Sequence, residues 1–233
     1  MQAVILTGGL GTRLRPVTRK VPKAMVEVRG RPFLEYELDL LRRSGFDDVV
    51  LCVGYLGGMI EDHFGDGSAF GIGLRYSWDG PKLLGAAGAL KRAEPLLGER
   101  FFVTYGDAYL RAPYGAMMES FEARGRLAMM ATYRNENRYG RSDIVVKGGR
   151  VVRYDKEGKG RLAWINFGVT VMKKRALALI PRGVAYGEQE FYGELIARGE
   201  LLSFPVAKRF YEIGNPKSLA EFSRFAARPG LLP

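Results

Sequence analysis

Residues 3–7 form a short apolar run, the mark of a strand buried on both faces. Within 32–44, Phe33, Leu34, Leu38 and Leu41 recur at helical spacing, with Pro32 suited to the first turn and Gly45 placed as a C-terminal cap. Residues 48–53 repeat the buried-strand pattern, 56–64 read as helix, 71–77 as strand, 85–97 as helix in spite of Pro95, and 100–104 as strand. A helix over 113–124 and a strand over 127–133 continue the exchange. Such alternation predicts an α/β fold whose open, mostly parallel sheet carries helices on both faces.

The texture changes after about residue 140. Segments 143–146 and 150–154 flank Gly148 and Gly149, a hairpin signal. A strand over 164–172, a helix over 188–198 and short strands over 201–206 and 209–213 follow, and Asn215-Pro216 opens a last helix running to about 226. No internal repeat, low-complexity tract or linker interrupts the chain. The expectation is one Rossmann-like domain over 1–233, with antiparallel additions from the C-terminal third laid over the carboxyl edge of the sheet. Ligands of open α/β sheets sit beyond the carboxyl ends of the strands, so the loops there are searched first.

Composition narrows the chemistry. At 47% hydrophobic over 233 residues the chain can bury a sizeable core. Its net charge of +11 favours anionic partners. Cys52 and His63 are the sole cysteine and histidine, which excludes an internal disulfide, a Cys-rich metal site and a histidine cluster. No apolar run approaches the ~18–20 residues that span a bilayer, and the start lacks a basic n-region, so a cytoplasmic protein with no membrane partner is expected. The basic residues are scattered, and no nucleic-acid motif accompanies them.

The first strand runs into Gly8-Gly9-Leu10-Gly11-Thr12-Arg13. Glycines let backbone N–H groups approach a phosphate, and Arg13 and Arg15 add forked donors. The loop has neither the Lys-Ser/Thr ending of a P-loop nor the spacing of a dinucleotide fingerprint. Lys23, held after Pro22, is a point charge for a second phosphate. With Gly30-Arg31-Pro32-Phe33-Leu34-Glu35-Tyr36, the stretch from Gly8 to Tyr36 resembles the signature of sugar-1-phosphate nucleotidyltransferases. Three further segments match in order. Leu84-Gly85-Ala86-Ala87-Gly88-Ala89-Leu90 resembles the loop that contacts base and ribose, although Lys82 and Ala86 replace the acidic residue and threonine common there. Tyr105-Gly106-Asp107 ends a buried strand in a carboxylate, the place for a hard-cation ligand. Phe210 to Pro216 resembles a second acidic motif, with Glu212 where the family usually has aspartate.

The resemblance implies transfer of a nucleoside monophosphate from an NTP to a sugar 1-phosphate, giving an NDP-sugar and pyrophosphate. Arg13 and Lys23 would be catalytic; Leu6, Gly8, Gly9, Gly11, Thr12, Arg13, Gly85 and Gly88 would hold the nucleotide. Asp107 and Glu212 would hold Mg²⁺. Lys156, Asn166, Gly168 and Glu188 would receive the sugar phosphate, dividing the chain into a nucleotide part over 1–140 and a sugar part over 141–233. Length and the Gly30–Tyr36 segment look most like relatives acting on heptose, mannose or N-acetylmuramate 1-phosphates, with guanylyl transfer favoured over uridylyl transfer. A non-catalytic sensor of nucleotide or sugar phosphate is the rival class, and a homodimer is allowed for. Met117, Met118, Met129, Met130, Trp164 and Phe167 read as packing, Cys52 as an inert buried thiol and His63 as a surface residue.

Overall fold

The computed structural model describes residues 1–157 and 162–228; 158–161 and 229–233 of the expected sugar part lie outside the described residues. In chain order come β1 (Gln2–Leu6), the two-residue strands β2 (Glu27–Val28) and β3 (Arg31–Pro32), α1 (Phe33–Arg43), β4 (Asp48–Val53), α2 (Gly57–Phe64), β5 (Gly73–Trp78), α3 (Gly85–Arg92) and β6 (Arg100–Tyr105). Then follow β7 (Ala108–Tyr109), α4 (Tyr114–Arg124), β8 (Ala128–Arg134), β9 (Ile144–Lys147), β10 (Arg150–Tyr154), β11 (Trp164–Lys173), α5 (Glu188–Ala197), β12 (Leu201–Val206), β13 (Tyr211–Glu212) and α6 (Pro216–Ala226).

Nine strands make one sheet in the order β5–β4–β1–β6–β11–β8–β12–β10–β9. The first four are parallel to one another. β11 runs antiparallel to both β6 and β8, β12 is parallel to β8, and β10 and β9 turn antiparallel again. The sheet is therefore mixed, which corrects the expectation of a mostly parallel one. Nor are the antiparallel additions confined to the carboxyl edge. β6 and β8 are buried strands that need a partner on each side, and β11, apolar at Phe167, Val169, Val171 and Met172, fills the gap between them.

Side-chain alternation divides the core. Ala3 and Ile5 pack with Leu34, Leu38 and Leu41 of α1 on one face. Val4 packs with Val50, Cys52 and with Ala87 and Leu90 of α3 on the other. A third cluster joins Phe33 and Tyr36 of α1 to Tyr109, Tyr211 and to Phe222 and Phe225 of α6; the Phe33 and Phe222 rings meet edge-on at 4.9 Å. This cluster ties the last helix to the segment that follows Lys23. α6 starts as expected: Ser218 N–H donates to Asn215 Oδ1 at 3.0 Å, and Asn215 N–H donates to Ser218 Oγ at 3.1 Å.

Two other expectations change. The helix expected over 85–97 ends at Arg92, and Pro95 sits in a separate 3-10 turn, because proline cannot supply the N–H that a continuing helix needs. Of the strand expected over 209–213, Tyr211 and Glu212 alone pair, with Tyr109 and Ala108.

Candidate active site

β1 and β6 end side by side, with Leu6 opposite Tyr105, so the loops that follow share one rim. Thr7 donates its N–H at 2.9 Å and its hydroxyl at 2.7 Å to the Cys52 carbonyl, and Gly106 N–H donates to the Leu6 carbonyl at 3.1 Å. These bonds fix the chain as it enters the glycine loop. Gly11 turns the loop at φ +59°, where a Cβ would also press within 3.0 Å of Thr18 Cγ2. The Thr18 hydroxyl donates to the Gly11 carbonyl at 2.8 Å and braces the turn.

The loop bounds a cleft of about 390 Å³. Leu6, Gly8, Gly9, Gly11, Thr12 and Arg13 line it from the first strand and loop, and Lys23, Gly85 and Asp107 join from three other segments. Gly88 is not part of the lining; a Cβ there would meet Leu84 Cβ and the Val184 carbonyl, each at 3.0 Å, so its smallness serves helix packing.

Four charged side chains converge at the rim. Lys23 Nζ pairs with the Asp107 carboxylate. Ile213 N–H donates to the Asp107 carbonyl at 2.9 Å, and the β7–β13 ladder sets Glu212 opposite Ala108, which brings the second carboxylate alongside the first. Burial raises the Glu212 pKa, the Asp107 charge raises it further, and Lys23 and Arg13 pull against both. Arg13 Nη2 and Glu212 Oε2 flank Gly214, lying 3.2 and 3.0 Å from where its Cβ would stand.

A second pocket of about 210 Å³ shares Tyr105 and Asp107 with the cleft. Asn166, Gly168, Glu188 and Glu212 are in its walls. β11 slips register between Asn166 and Thr170, and Gly168 makes the kink at φ +97°. There Asn166 Oδ1 accepts the Gly168 N–H at 2.9 Å, which orients the amide. Glu188 opens α5; burial pushes its carboxyl up to about 7, while Tyr105 Oη and Lys156 Nζ both contact it. Lys156 is half-exposed and reaches the pocket through Glu188 rather than lining it. Burial lowers the Lys156 pKa and Asp143 opposes this.

Two wall residues went unread in the sequence. Asp79 lines the cleft just beyond β5 and accepts the Leu84 N–H at 3.3 Å; burial raises its pKa. The strand-end position that singled out Asp107 would have found it. Asp143 lines the second pocket, accepts the Asn166 N–H at 2.8 Å and is pushed up to about 6 by burial. No spacing rule connects it to its neighbours. Of the remaining residues, Cys52 is buried with its thiol pKa raised, and His63 Nε2 sits on the surface 3.0 Å from Glu35 Oε1.

No group of three or more His, Cys, Asp or Glu side chains suited to a metal occurs among the described residues. Asp107 and Glu212 nevertheless suit Mg²⁺, which commonly takes one or two carboxylates and completes its shell with water and substrate phosphates. Burial first and the Asp107 charge second raise the Glu212 pKa, and a bound cation would offset both.

The family model described as nucleotidyl transferase matches residues 2–228. A D-glycero-alpha-D-manno-heptose 1-phosphate guanylyltransferase of Aneurinibacillus thermoaerophilus is 32% identical over 221 residues, covering 93% of this chain and 94% of the relative. A UTP–glucose-1-phosphate uridylyltransferase of Synechocystis is 31% identical over 203 residues, covering 80% of this chain but 52% of the relative, so the chain spans about half that protein's length. The solved structure of HddC from Yersinia pseudotuberculosis complexed with GMP-PN superposes with a TM-score of 0.82 at 23% identity, covering 96% of this chain and 98% of that one.

Proposed function

The chain belongs to the nucleotidyl transferase family, and from that premise we propose that it joins the nucleoside monophosphate of an NTP to a sugar 1-phosphate and releases pyrophosphate. One observation carries the reading: a glycine-lined cleft and a polar pocket share the wall residues Tyr105 and Asp107, and Arg13, Lys23 and Glu212 stand close to Asp107. The triphosphate would lie along the glycine loop and the sugar in the second pocket. A sugar-phosphate oxygen would attack the α-phosphorus in line. That oxygen is already ionised near neutral pH, so no general base is required. Repulsion between two anions is the barrier, and positioning and charge neutralisation lower it. Arg13 and Lys23 would offset charge on the reacting phosphates and departing pyrophosphate. Asp107 and Glu212 would hold Mg²⁺, which supplies further neutralisation when bound. Asn166 and Glu188 would orient the ring hydroxyls, and Lys156 would turn to the sugar phosphate. The same reading takes the cytoplasm as its setting; among the described residues no helix is long and apolar enough to cross a membrane.

Asp79 supports guanylyl transfer. An ionised carboxylate accepts only, and guanine offers two adjacent donors, N1–H and N2–H, whereas the single uracil N3–H stands between two carbonyls. The relative from Aneurinibacillus is a guanylyltransferase over nearly its whole length. The test is pyrophosphate release with four NTPs against neutral hexose and heptose 1-phosphates. GTP should exceed UTP by at least about tenfold in kcat/KM, and Asp79→Asn should narrow that ratio. No release with any pair would refute the reaction; release with UTP alone would refute the base.

A further inference from the structure

The two halves of the site differ in charge. The second pocket is walled by four carboxylates, those of Asp107, Asp143, Glu188 and Glu212, and by no basic side chain among the described residues. Cations offset each of them in part: Asp107 pairs with Lys23, Glu188 holds Lys156 Nζ, Glu212 feels Arg13 and Lys23 through space, and Asp143 feels Lys156 in the same way. Asp143 stands out in how the backbone around it fixes its place. Its Oδ1 takes the Asn166 N–H at 2.8 Å, its backbone is pinned by Asp155 N–H at 2.7 Å and by the Trp164 carbonyl at 3.0 Å, and Lys156 acts on it only at a distance. β11 and the residue that follows β10 therefore hold Asp143 at the pocket wall. Tyr154 links it to the sugar-orienting groups, since its hydroxyl donates to Glu188 Oε2 at 3.3 Å and lies close enough to Asp143 and Asn166 to feel both.

We propose that Asp143 sets the charge selectivity of the acceptor: the pocket takes the 1-phosphate of a neutral, polyhydroxylated sugar and refuses one whose ring or side arm bears a carboxylate. The inference rests on the reaction proposed above and names its substrate class. Carboxylate walls suit a polyhydroxylated ring, because each ring hydroxyl can donate a hydrogen bond to a carboxylate oxygen. A carboxylated sugar brings like charge against Asp143 and Glu188, and at separations of a few ångströms that repulsion exceeds a tenfold preference. Asn166 reinforces the choice: Asp143 accepts its backbone N–H, and the Gly168 N–H, donated to Asn166 Oδ1, orients the side-chain amide.

The experiment compares kcat/KM for two matched pairs, mannose against mannuronate 1-phosphate and N-acetylglucosamine against N-acetylmuramate 1-phosphate, in each of which the second member adds one carboxylate. The neutral member should be preferred at least about tenfold in both. Asp143→Asn, which keeps the oxygen that accepts the Asn166 N–H, should narrow the preference by about tenfold, chiefly by lowering KM for the anionic sugar. A purely structural role would instead depress both members equally. Glu188→Gln serves as a second variant and should narrow the ratio in the same direction. Equal use of both members by the unaltered protein, or an unchanged ratio in both variants, overturns the inference and leaves the reaction standing. Absence of pyrophosphate release with every sugar phosphate and every NTP overturns the reaction itself.

Discussion

The cleft beyond β1 and the pocket beyond β11 share a wall but are built on different plans. The first is mostly backbone. Its glycine loop follows directly from one strand, its turn is closed by bonds within residues 11–18, and its charges are the cations Arg13 and Lys23 set against Asp79 and Asp107. The second is mostly side chain. Its walls come from 105, 107–108, 143, 165–168, 188, 210 and 212, and its charges are carboxylates. A backbone-built loop must keep one local geometry, whereas a side-chain pocket can be re-cut one residue at a time. On the proposed function, the first would accept a group common to all nucleotides and the second would choose among sugars.

If this division holds, the largest effects come from the cleft. Lys23→Ala or Asp107→Ala should lower turnover by at least about a hundredfold with folding retained, as for other groups that stabilise charge in the transition state. Near-normal kcat by steady-state pyrophosphate release in either folded variant would dissolve the comparison. Glu188 gives a smaller, thermodynamic effect. Its pKa is raised from 4.5 to about 7 by burial, so the native state binds more protons than the unfolded state across that interval. Its contribution is therefore stabilising at low pH and is lost as pH rises toward 7. Denaturant unfolding of the ligand-free protein should show stability falling by roughly 2 kcal/mol over the window, and Glu188→Gln should flatten that slope. A slope unaltered by the substitution would remove Glu188 as its source. The smallest effect belongs to Asn166→Ala, which should raise KM for the sugar phosphate about tenfold and leave KM for the NTP within about twofold. Equal changes in both would show that the amide supports the whole site rather than the sugar.

The same contrast governs what could be read before the structure. The stretch from Gly8 to Lys23 was legible because a phosphate cradle needs glycines and cations close together in sequence, and Asp107 because a strand end marks it. That the strands of the block β5–β4–β1–β6 run parallel followed from the alternation of strand and helix patterns; their order did not. Asp143 was invisible, since its neighbours Asn166, Asp155 and Trp164 reach it only through strand pairing between distant segments. For the same reason, the central place of β11 could not be inferred: an apolar strand announces burial but not which two strands it separates. Gly88, read from its motif, stands outside the cleft lining and packs closely against Leu84 and Val184.

The place of β11 has a consequence for how the molecule is made. β6 and β8 leave the ribosome first, and until residue 173 emerges neither has the neighbour that lies between them in the finished sheet. During that interval the nascent chain carries open hydrogen-bonding edges on buried, apolar strands, the kind of surface that recruits other chains. Premature termination near residue 140 should therefore leave a sticky fragment that needs a holdase, not a small working nucleotide binder.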